Sequence, residues 1–313
     1  MVGWDASQGM YNRFHTHVRA QNPNIKTLIS LGGWNFGSTI FSPMSMSPTH
    51  RTTFIDSAMA FCREHGFDGV DIDWEYPGAA EKDYYATLLA EFRAAIETEA
   101  RSTNQSTLLL TIAVPAGETT INAGYEVAAV AAAVDWIGVM AYDLHGSWES
   151  TVGAHTALFA SNGQRDTLTV SHALKVWEGK GAPASKLIVG IATYGRGWTL
   201  NDESQHGMGA KAHGASTAGR FTREMGFLSY YEIQTMLNQS HAVETFDYET
   251  ETMYAHAGNQ WVGFDDPTTV RIKTQYIKDH GYGGGMVWAL DLDDFKNGFP
   301  LVTAVAELMT DNN

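Results

Sequence analysis

The stretch FDGVDIDWEYPG, residues 67–78, places four acidic side chains within eight positions of a run that is otherwise apolar and aromatic. Ionised carboxylates are costly among apolar side chains unless they are paired or take part in chemistry. The β-branched and aromatic residues predict a strand, along which side chains alternate between two faces. Asp71, Asp73 and Glu75 therefore share one face, and Ile72 lies on the other. Glu75 comes last, directly before YPG ends the strand.

On both sides of this stretch, short apolar runs alternate with longer helical patterns. Near-continuous apolar strands joined by helices indicate a parallel sheet covered on both faces. A doubly wound sheet and a closed (β/α)8 barrel both fit this order. The barrel is favoured because several strands end in polar or aromatic residues, and the strand ends of a barrel converge on one site. The predicted strands are 25–33, 67–76, 107–115, 134–142, 186–195 and 281–290, and the predicted helices are 47–65, 81–100, 123–133, 167–181 and 266–281.

The number of strands falls short of a complete barrel. Six runs are convincing strands, whereas a closed (β/α)8 barrel needs eight. Residues 196–265 do not alternate in the same way and predict a small α+β insertion before the last helix and strand. The expected organisation is an α/β protein, with a TIM barrel formed by 1–195 and 266–313 that is incomplete at its N-terminus, and an insertion domain at 196–265.

Composition and charge disfavour several classes of protein. Hydrophobic residues make up 44% of the 313 residues, so a large core is possible and disorder is not expected. The net charge of −15 disfavours nucleic acid and anionic membranes as partners. No apolar run reaches the roughly 18 residues of a membrane span, and the first residues show no signal-peptide pattern. The single cysteine, Cys62, excludes an internal disulfide and is expected to be a buried helical thiol.

The three aligned carboxylates predict acid–base chemistry. Like charges at this spacing cannot all ionise, so one carboxyl group keeps its proton and its pKa rises. A carboxylic acid that stays protonated near neutral pH is a general acid. A purely structural row of carboxylates and a metal site are the alternatives. A metal is disfavoured because three acids on one strand cannot surround an ion, and no histidine pair at ligand spacing lies nearby.

Motifs for other chemistry are missing from the chain. It contains neither the G-x-x-x-x-G-K-[ST] phosphate loop nor the G-x-S-x-G nucleophile motif. The histidine-bearing segment HGMGAKAH, at 206–213, is interpreted as a solvated loop rather than a metal site. Neither a cofactor nor a metal is therefore expected.

The acidic stretch resembles a known family signature. DGVDIDWE, at 68–75, matches the DxxDxDxE pattern of the family 18 glycoside hydrolases, which include chitinases and chitinase-like lectins. Further blocks resemble this family in the same order along nearly the whole chain. They are SLGGWNFGS (30–38), MAYDLHGSWE (140–149), YGRGW (194–198), FTREMGFLSYYE (221–232), GNQWVGFDDP (258–267) and GGMVWALDLDDF (284–295).

This resemblance implies a chitinase that cleaves β-1,4-linked N-acetylglucosamine polymers with retention. In this family the N-acetyl carbonyl of the substrate attacks, rather than an enzyme carboxylate, and forms an oxazolinium ion. Glu75 would protonate the glycosidic oxygen, and Asp73 would hold the acetamido N–H. Asp71 would share a proton with Asp73, and Tyr142 would orient the acetamido carbonyl. Asp68 points to the opposite face and is interpreted as structural.

The resemblance also implies a cleft lined by aromatic rings, which bind the apolar faces of sugars. Trp288 would lie under the sugar at the cleaved bond, Trp34 and Trp148 would stack on sugars to either side, and Trp4 matches a further stacking position. The other cleft residues implied are Gly33, Asn35, Tyr76, Met140, Asp143, Phe221 and Arg223. Relatives usually carry Tyr where this chain has Phe221, so one hydrogen bond to the sugar would be lost.

The chain departs from the family at its start. GWDAS, at 3–7, would follow the family's second strand, so the first strand, its helix and the second strand are expected to be missing. A missing N-terminal segment or a second chain would then complete the barrel. Chitin or N-acetylglucosamine oligosaccharides are the expected partners, and the family resemblance implies an extracellular protein. A lectin that binds chitin fragments without cutting them, and an inactive fragment, are the alternatives.

Overall fold

The structure is a computed structural model, which describes residues 8–161, 167–238 and 241–310. Trp4 lies outside the described residues. The chain forms two compact units: a first unit of Met1–Pro115 with Thr119–Ile137, and a second unit of Ala116–Glu118 with Gly138–Asn313. In the described ranges, no helix is both long enough and apolar enough to cross a membrane.

The first unit is built from parallel strands and the helices that connect them. β1 pairs with β2 from Leu28 opposite Gly69 to Gly32 opposite Asp73, and β2 pairs with β3 from Gly69 opposite Leu109. The helices are α1 (Met10–Gln21), α2 (Phe41–Met46), α3 (Pro48–His65), α4 (Lys82–Thr103), α5 (Glu118–Gly124) and α6 (Val127–Ala133), and the strands are β1 (Leu28–Gly32), β2 (Gly69–Asp73), β3 (Leu109–Pro115) and β4 (Trp136–Met140).

Strand β4 begins in the first unit and ends in the second. The second unit adds the helices α7 (Val170–Gly179), α8 (Tyr230–Leu237), α9 (Pro267–Asp279) and α10 (Pro300–Thr310), and the strands β5 (Leu187–Ala192), β6 (Tyr194–Leu200), β7 (Ala212–Ala215), β8 (Phe227–Ser229), β9 (Val243–Asp247), β10 (Thr252–Ala257), β11 (Gln260–Phe264) and β12 (Gly284–Trp288). Single 3-10 turns occur at Ala184–Lys186, Leu290–Leu292 and Phe295–Asn297.

Over the described residues, the parallel sheet has six strands in the order β1-β2-β3-β4-β5-β12. All six predicted strands are present, but two predicted elements differ in detail. The predicted helix 123–133 is divided: α5 ends at Gly124 and α6 begins at Val127. Gly124 lies so close to the carbonyl of Pro77 that any side chain there would collide with it. The predicted strand 186–195 is broken at Thr193, whose amide donates to the carbonyl of Trp288. The chain then enters β6 of a different sheet.

The second sheet is antiparallel and lies within the second unit. Its order is β7-β6-β11-β10-β9, and β8 also pairs with β6. Trp198 on β6 faces Trp261 on β11, and both side chains are fully buried. This sheet begins at Tyr194, ahead of the predicted boundary at 196. The extent of a separate insertion domain stays a prediction.

Helix ends and core residues follow the local sequence. Ser47 caps α3 by accepting a hydrogen bond from the His50 amide at 3.4 Å, and Asp266 caps α9 through the Thr269 amide at 2.8 Å. Proline occupies the first turn in both helices, where its missing N–H costs nothing. The Cys62 thiol is fully buried on α3, as predicted.

Candidate active site

The acidic strand of the first unit ends beside a glycine turn. The amide of Gly33 donates to the carbonyl oxygen of Asp73 at 2.7 Å. Gly32 has a φ of 124°, and a Cβ there would collide with the same carbonyl. Only glycine fits this position, so the GG of the SLGGWN block brings the end of β1 close to the end of β2.

Asp71 is held by two hydroxyl groups from the strands on either side. Ser30 on β1 donates to its Oδ2 at 3.0 Å, and Thr111 on β3 donates to its Oδ1 at 2.6 Å. Burial raises the pKa of Asp71, although both hydrogen bonds favour the ionised form. Asp71 is therefore an oriented carboxyl group whose proton is retained more strongly than in water.

Asp73 is a second buried acid with a raised pKa. Its side chain is only 9% exposed, and its Oδ1 has no hydrogen-bond partner among the described residues. Burial, and then the charges of Glu75 and Asp71, raise the pKa of Asp73 to about 7. A carboxyl group in this state exchanges a proton near neutral pH, which is the condition that acid–base catalysis requires.

Aromatic residues surround the end of this strand. Trp74 is fully buried, stacks on Phe41 and donates from Nε1 to the Ser38 hydroxyl at 2.8 Å. Ser38 in turn donates to the carbonyl of Tyr76 at 3.1 Å, which ties the turn after Glu75 to the loop after β1. Two more predicted binding residues, Trp34 (73% exposed) and Asn35, lie exposed on that loop.

Asp68 has the structural role that its position on the opposite face indicated. Its carboxylate accepts hydrogen bonds from Arg19 at 3.0 Å and from the Thr27 amide at 2.9 Å. Burial opposes ionisation, but these bonds and the nearby cations bring the pKa of Asp68 below its usual value.

The second unit holds Asp143 in a rigid ion pair. Arg196 donates from Nε to Oδ1 at 2.7 Å and from Nη2 to Oδ2 at 2.8 Å, and the Tyr194 hydroxyl donates to Oδ1 at 2.8 Å. Burial alone would raise the pKa of Asp143, but His155, whose Nδ1 lies 3.7 Å from Oδ1, and the hydrogen-bonded Arg196 hold it well below the usual range. The Tyr142 ring lies 6.0 Å from the ring of Tyr194, edge to face.

Arg196 also lies close to Trp148, another predicted site residue, and to Glu224. Its guanidinium lies 5.7 Å from the ring of Trp148, whose side chain is 63% exposed, and 3.9 Å from the Glu224 carboxylate. No role was predicted for Arg196 or Tyr194 from the sequence. Their position in the YGRGW block, which resembles the family, was the available signal.

The remaining predicted residues lie at strand ends and in one loop of the second unit. Trp288 ends β12 with its side chain 53% exposed, and Met140 ends β4 half-buried. Phe221 and Arg223 are exposed in the loop before β8.

No cluster of three or more histidine, cysteine or acidic side chains is arranged to hold a metal ion in the described part of the chain. His206 and His213, from the segment interpreted as a solvated loop, have different contacts. His206 stacks on His256 with ring centroids 3.8 Å apart, and His213 is exposed and bonded to Asn201 at 2.9 Å.

The raised pKa of Asp73 predicts an unusual pH dependence of stability. The folded state binds this proton more tightly than the unfolded state, so the contribution of Asp73 is fully present below its ordinary pKa and is lost as pH rises to about 7. We expect Asp73→Asn to remove this loss, so that the free energies of unfolding of variant and wild type diverge from pH 4 to 7 in urea titrations.

Asp68→Asn is the control of opposite sign, because the pKa of Asp68 is lowered. Asp68 stabilises the fold above its ordinary pKa and loses that contribution in acid. Stability curves of wild type and Asp73→Asn that stay parallel from pH 4 to 7 would contradict the prediction.

Comparison with known proteins identifies relatives of the chain. The sequence model described as "Glycosyl hydrolases family 18" matches residues 2–293. Chitotriosidase-1 of Mus musculus is 41% identical over 90% of this chain and 61% of its own length. A probable endochitinase of Caenorhabditis elegans is 40% identical over 96% of this chain and 50% of its own length. The chain thus spans only half to three-fifths of the length of these curated relatives.

Solved structures share the fold. A chitinase from Trichuris suis superposes with a TM-score of 0.91 at 40% identity, covering 93% of this chain and 82% of its own. Human YKL-39, described as a pseudo-chitinase with retained chitooligosaccharide binding properties, superposes with a TM-score of 0.93 at 36% identity, covering 97% of this chain and 85% of its own. The predicted fold is confirmed: six parallel strands of the described chain form an incomplete (β/α)8 barrel, accompanied by an insertion sheet.

Proposed function

Because the chain belongs to glycosyl hydrolase family 18, we propose that it hydrolyses the β-1,4 bonds of chitin and of N-acetylglucosamine oligomers. The observation that carries this proposal is the acidic strand. Asp71 and Asp73 both have raised pKa values, and Glu75 follows them at the strand end. A hydrolase of this family needs a proton donor next to a carboxyl group that changes its ionisation during the reaction.

The proposed reaction is substrate-assisted and retains the anomeric configuration. Glu75 donates its proton to the glycosidic oxygen while the acetamido carbonyl oxygen attacks C1 and the C1–O bond breaks. Asp73 accepts a hydrogen bond from the acetamido N–H and stabilises the positive charge of the oxazolinium ion. Asp71 takes up the proton that it shares with Asp73. Water, deprotonated by Glu75, then opens the oxazolinium ion. The family resemblance gives Tyr142 the task of orienting the acetamido carbonyl.

Exposed tryptophans support a carbohydrate substrate. Trp34, Trp148 and Trp288 are 73%, 63% and 53% exposed, whereas Trp177 and Trp261 are fully buried. A ring at the surface can stack on the apolar face of a sugar and so be buried on binding. We propose that each stacks on an N-acetylglucosamine unit.

Carbohydrate binding without cleavage is the second candidate, because a structure neighbour is described as a pseudo-chitinase that retains chitooligosaccharide binding. Glu75 argues for cleavage, because the chain retains the complete DGVDIDWE motif. Secretion to the cell exterior is part of the proposal, as the resemblance to chitinases implies.

We also propose that the parallel sheet pairs with a further strand-bearing segment of this polypeptide or of a second chain. Strands β1 and β12 stand at the two ends of the strand order, so each has one edge without a strand partner among the described residues. Such edges present unpaired N–H and C=O groups, which another strand can satisfy.

The test is incubation with the N-acetylglucosamine hexamer, with NMR of the newly formed reducing ends. We expect shorter oligomers whose new ends appear first as the β-anomer. An initial α-anomer would contradict the substrate-assisted mechanism. Hexamer binding without products would favour the binding protein. The absence of both cleavage and binding would refute the proposal.

A further inference from the structure

Glu232, on the first turn of α8, has a buried carboxylate bonded to two separate segments of chain. Its Oε1 accepts hydrogen bonds from the Phe221 amide at 2.6 Å and the Thr222 amide at 3.2 Å. Its Oε2 accepts from the Thr222 hydroxyl at 2.8 Å, the Ser229 hydroxyl at 3.0 Å and the Ser229 amide at 3.2 Å. The residue is 8% exposed.

Part of this arrangement is an ordinary helix cap. Ser229 and Glu232 form a capping box at the start of α8. A capping box, however, needs only the bonds to Ser229. The bonds to Phe221 and Thr222 reach a loop that precedes the helix, and a glutamate that served the cap alone would leave those amides to water.

The loop approaches the carboxylate closely because it contains Gly219. A Cβ at this position would overlap both carboxylate oxygens of Glu232. Within the loop the Arg223 amide donates to the Gly219 carbonyl at 3.1 Å, and Arg223 has a left-handed φ of 56°. Residues 219–223 are therefore a tight turn whose backbone is fixed by one side chain outside it.

The same turn presents its own side chains to solvent. Phe221 is 61% exposed, and its ring meets that of Tyr231, the neighbour of Glu232 on α8, edge to face at 5.8 Å. Arg223 is exposed as well. A buried anchor beneath a turn with exposed aromatic and cationic side chains is suited to presenting those side chains to a ligand in one conformation.

We propose that Glu232 is a positioning residue that fixes the turn 219–223 for binding N-acetylglucosamine oligomers. This inference rests on the proposed function, because Phe221 and Arg223 are sugar-binding residues only if the chain binds chitin oligomers. Glu232 contacts no substrate in this scheme. It acts by removing the conformational freedom that the turn would otherwise lose on binding.

The test measures hexamer affinity by calorimetry in a Glu75→Gln parent, which cannot cleave the ligand. Glu232→Ala removes all five bonds, whereas glutamine could keep its oxygen on the Phe221 and Thr222 amides. We expect the dissociation constant to rise about 10-fold or more. Gly219→Ala, which leaves the carboxylate intact but displaces it, should weaken binding in the same direction.

Asp293→Asn is the matched control for lost stability. Asp293 is also a buried carboxylate of the second unit, and it accepts hydrogen bonds from the Leu301 and Val302 amides at 3.0 and 2.9 Å. We expect this variant to lower the melting temperature without changing hexamer affinity. An equal loss of affinity in Asp293→Asn would show that Glu232 acts through general stability and would overturn the inference.

Hydrogen exchange separates failure of this inference from failure of the proposed function. The Phe221 and Thr222 amides should exchange faster in Glu232→Ala than in the Glu75→Gln parent, and their exchange should be unchanged in Asp293→Asn. If the Glu75→Gln parent binds the hexamer and Glu232→Ala binds it equally well, the positioning role is overturned alone. If the parent does not bind, the proposed function fails and the sugar-binding role of Glu232 fails with it, whatever the exchange rates.

Discussion

Glu75→Gln is expected to reduce hexamer cleavage by about 10²- to 10⁴-fold, which is the usual contribution of a positioned general acid. Glutamine has nearly the shape of glutamate but cannot donate a proton to the glycosidic oxygen. The substrate-assisted mechanism offers no second route, because the acetamido group supplies the nucleophile and not the proton. Initial rates with the hexamer measure the loss, and calorimetry should show affinity within a few-fold of wild type.

The control for this experiment is Glu97→Gln on α4. Glu97 is half exposed and lies 3.8 Å from Arg101 in an i,i+4 pair on the same unit. Glu97→Gln makes the same side-chain substitution on the same unit, but it should leave the rate unchanged. Cleavage by Glu75→Gln within 10-fold of wild type would show that another group donates the proton.

Lys273→Met is expected to destabilise the fold strongly. Lys273 on α9 and Asp265 after β11 are 2% and 1% exposed, and the Nζ lies 2.6 Å from Asp265 Oδ2. Burial lowers the pKa of Lys273, although the carboxylate opposes this effect. Removing the cation leaves a buried carboxylate with only the Thr269 hydroxyl as a side-chain donor among the described residues, which costs about 3–5 kcal/mol.

Denaturant unfolding of Lys273→Met measures this cost, and two further variants serve as controls. Arg271 lies on the same helix as Lys273 and forms an exposed ion pair with Glu307 of α10, with Nη2 2.9 Å from Oε2. Arg271→Ala removes this pair and should cost less than about 1 kcal/mol. Lys273→Met combined with Asp265→Leu removes both charges and should recover much of the loss. A Lys273→Met variant whose free energy of unfolding stays within about 1 kcal/mol of wild type would contradict a desolvated ion pair.

Much of the fold was predictable because it depends on local periodicity. The apolar runs located the six parallel strands, and the predicted helices 47–65 and 266–281 correspond to α3 and α9. The division of the predicted helix 123–133 into α5 and α6 has no counterpart in the local periodicity. The requirement for glycine at 124 comes from its contact with the carbonyl of Pro77, and contacts between distant parts of the chain leave no periodic signal.

The candidate site likewise combines features that are readable from the sequence with contacts that only the fold creates. The alternation of Asp71, Asp73 and Glu75, and the motif that they form, are properties of eight consecutive residues and can be read without coordinates. The hydroxyl groups that hold Asp71 come from strands about 40 residues away on either side. Arg196 reaches Asp143 across 53 positions.

Sequence alone was therefore enough to indicate the family, the six parallel strands and the acidic strand, because apolar periodicity and motif spacing encode them. Only the folded chain decided which carboxyl groups retain protons, which are neutralised and which serve as anchors. Asp73 is buried without a cation contributing to its pKa, Asp143 is neutralised by Arg196, and Glu232 is bonded to a turn. The physical reason is that a pKa and a hydrogen-bond network depend on neighbours in space, and those neighbours come from distant parts of the sequence.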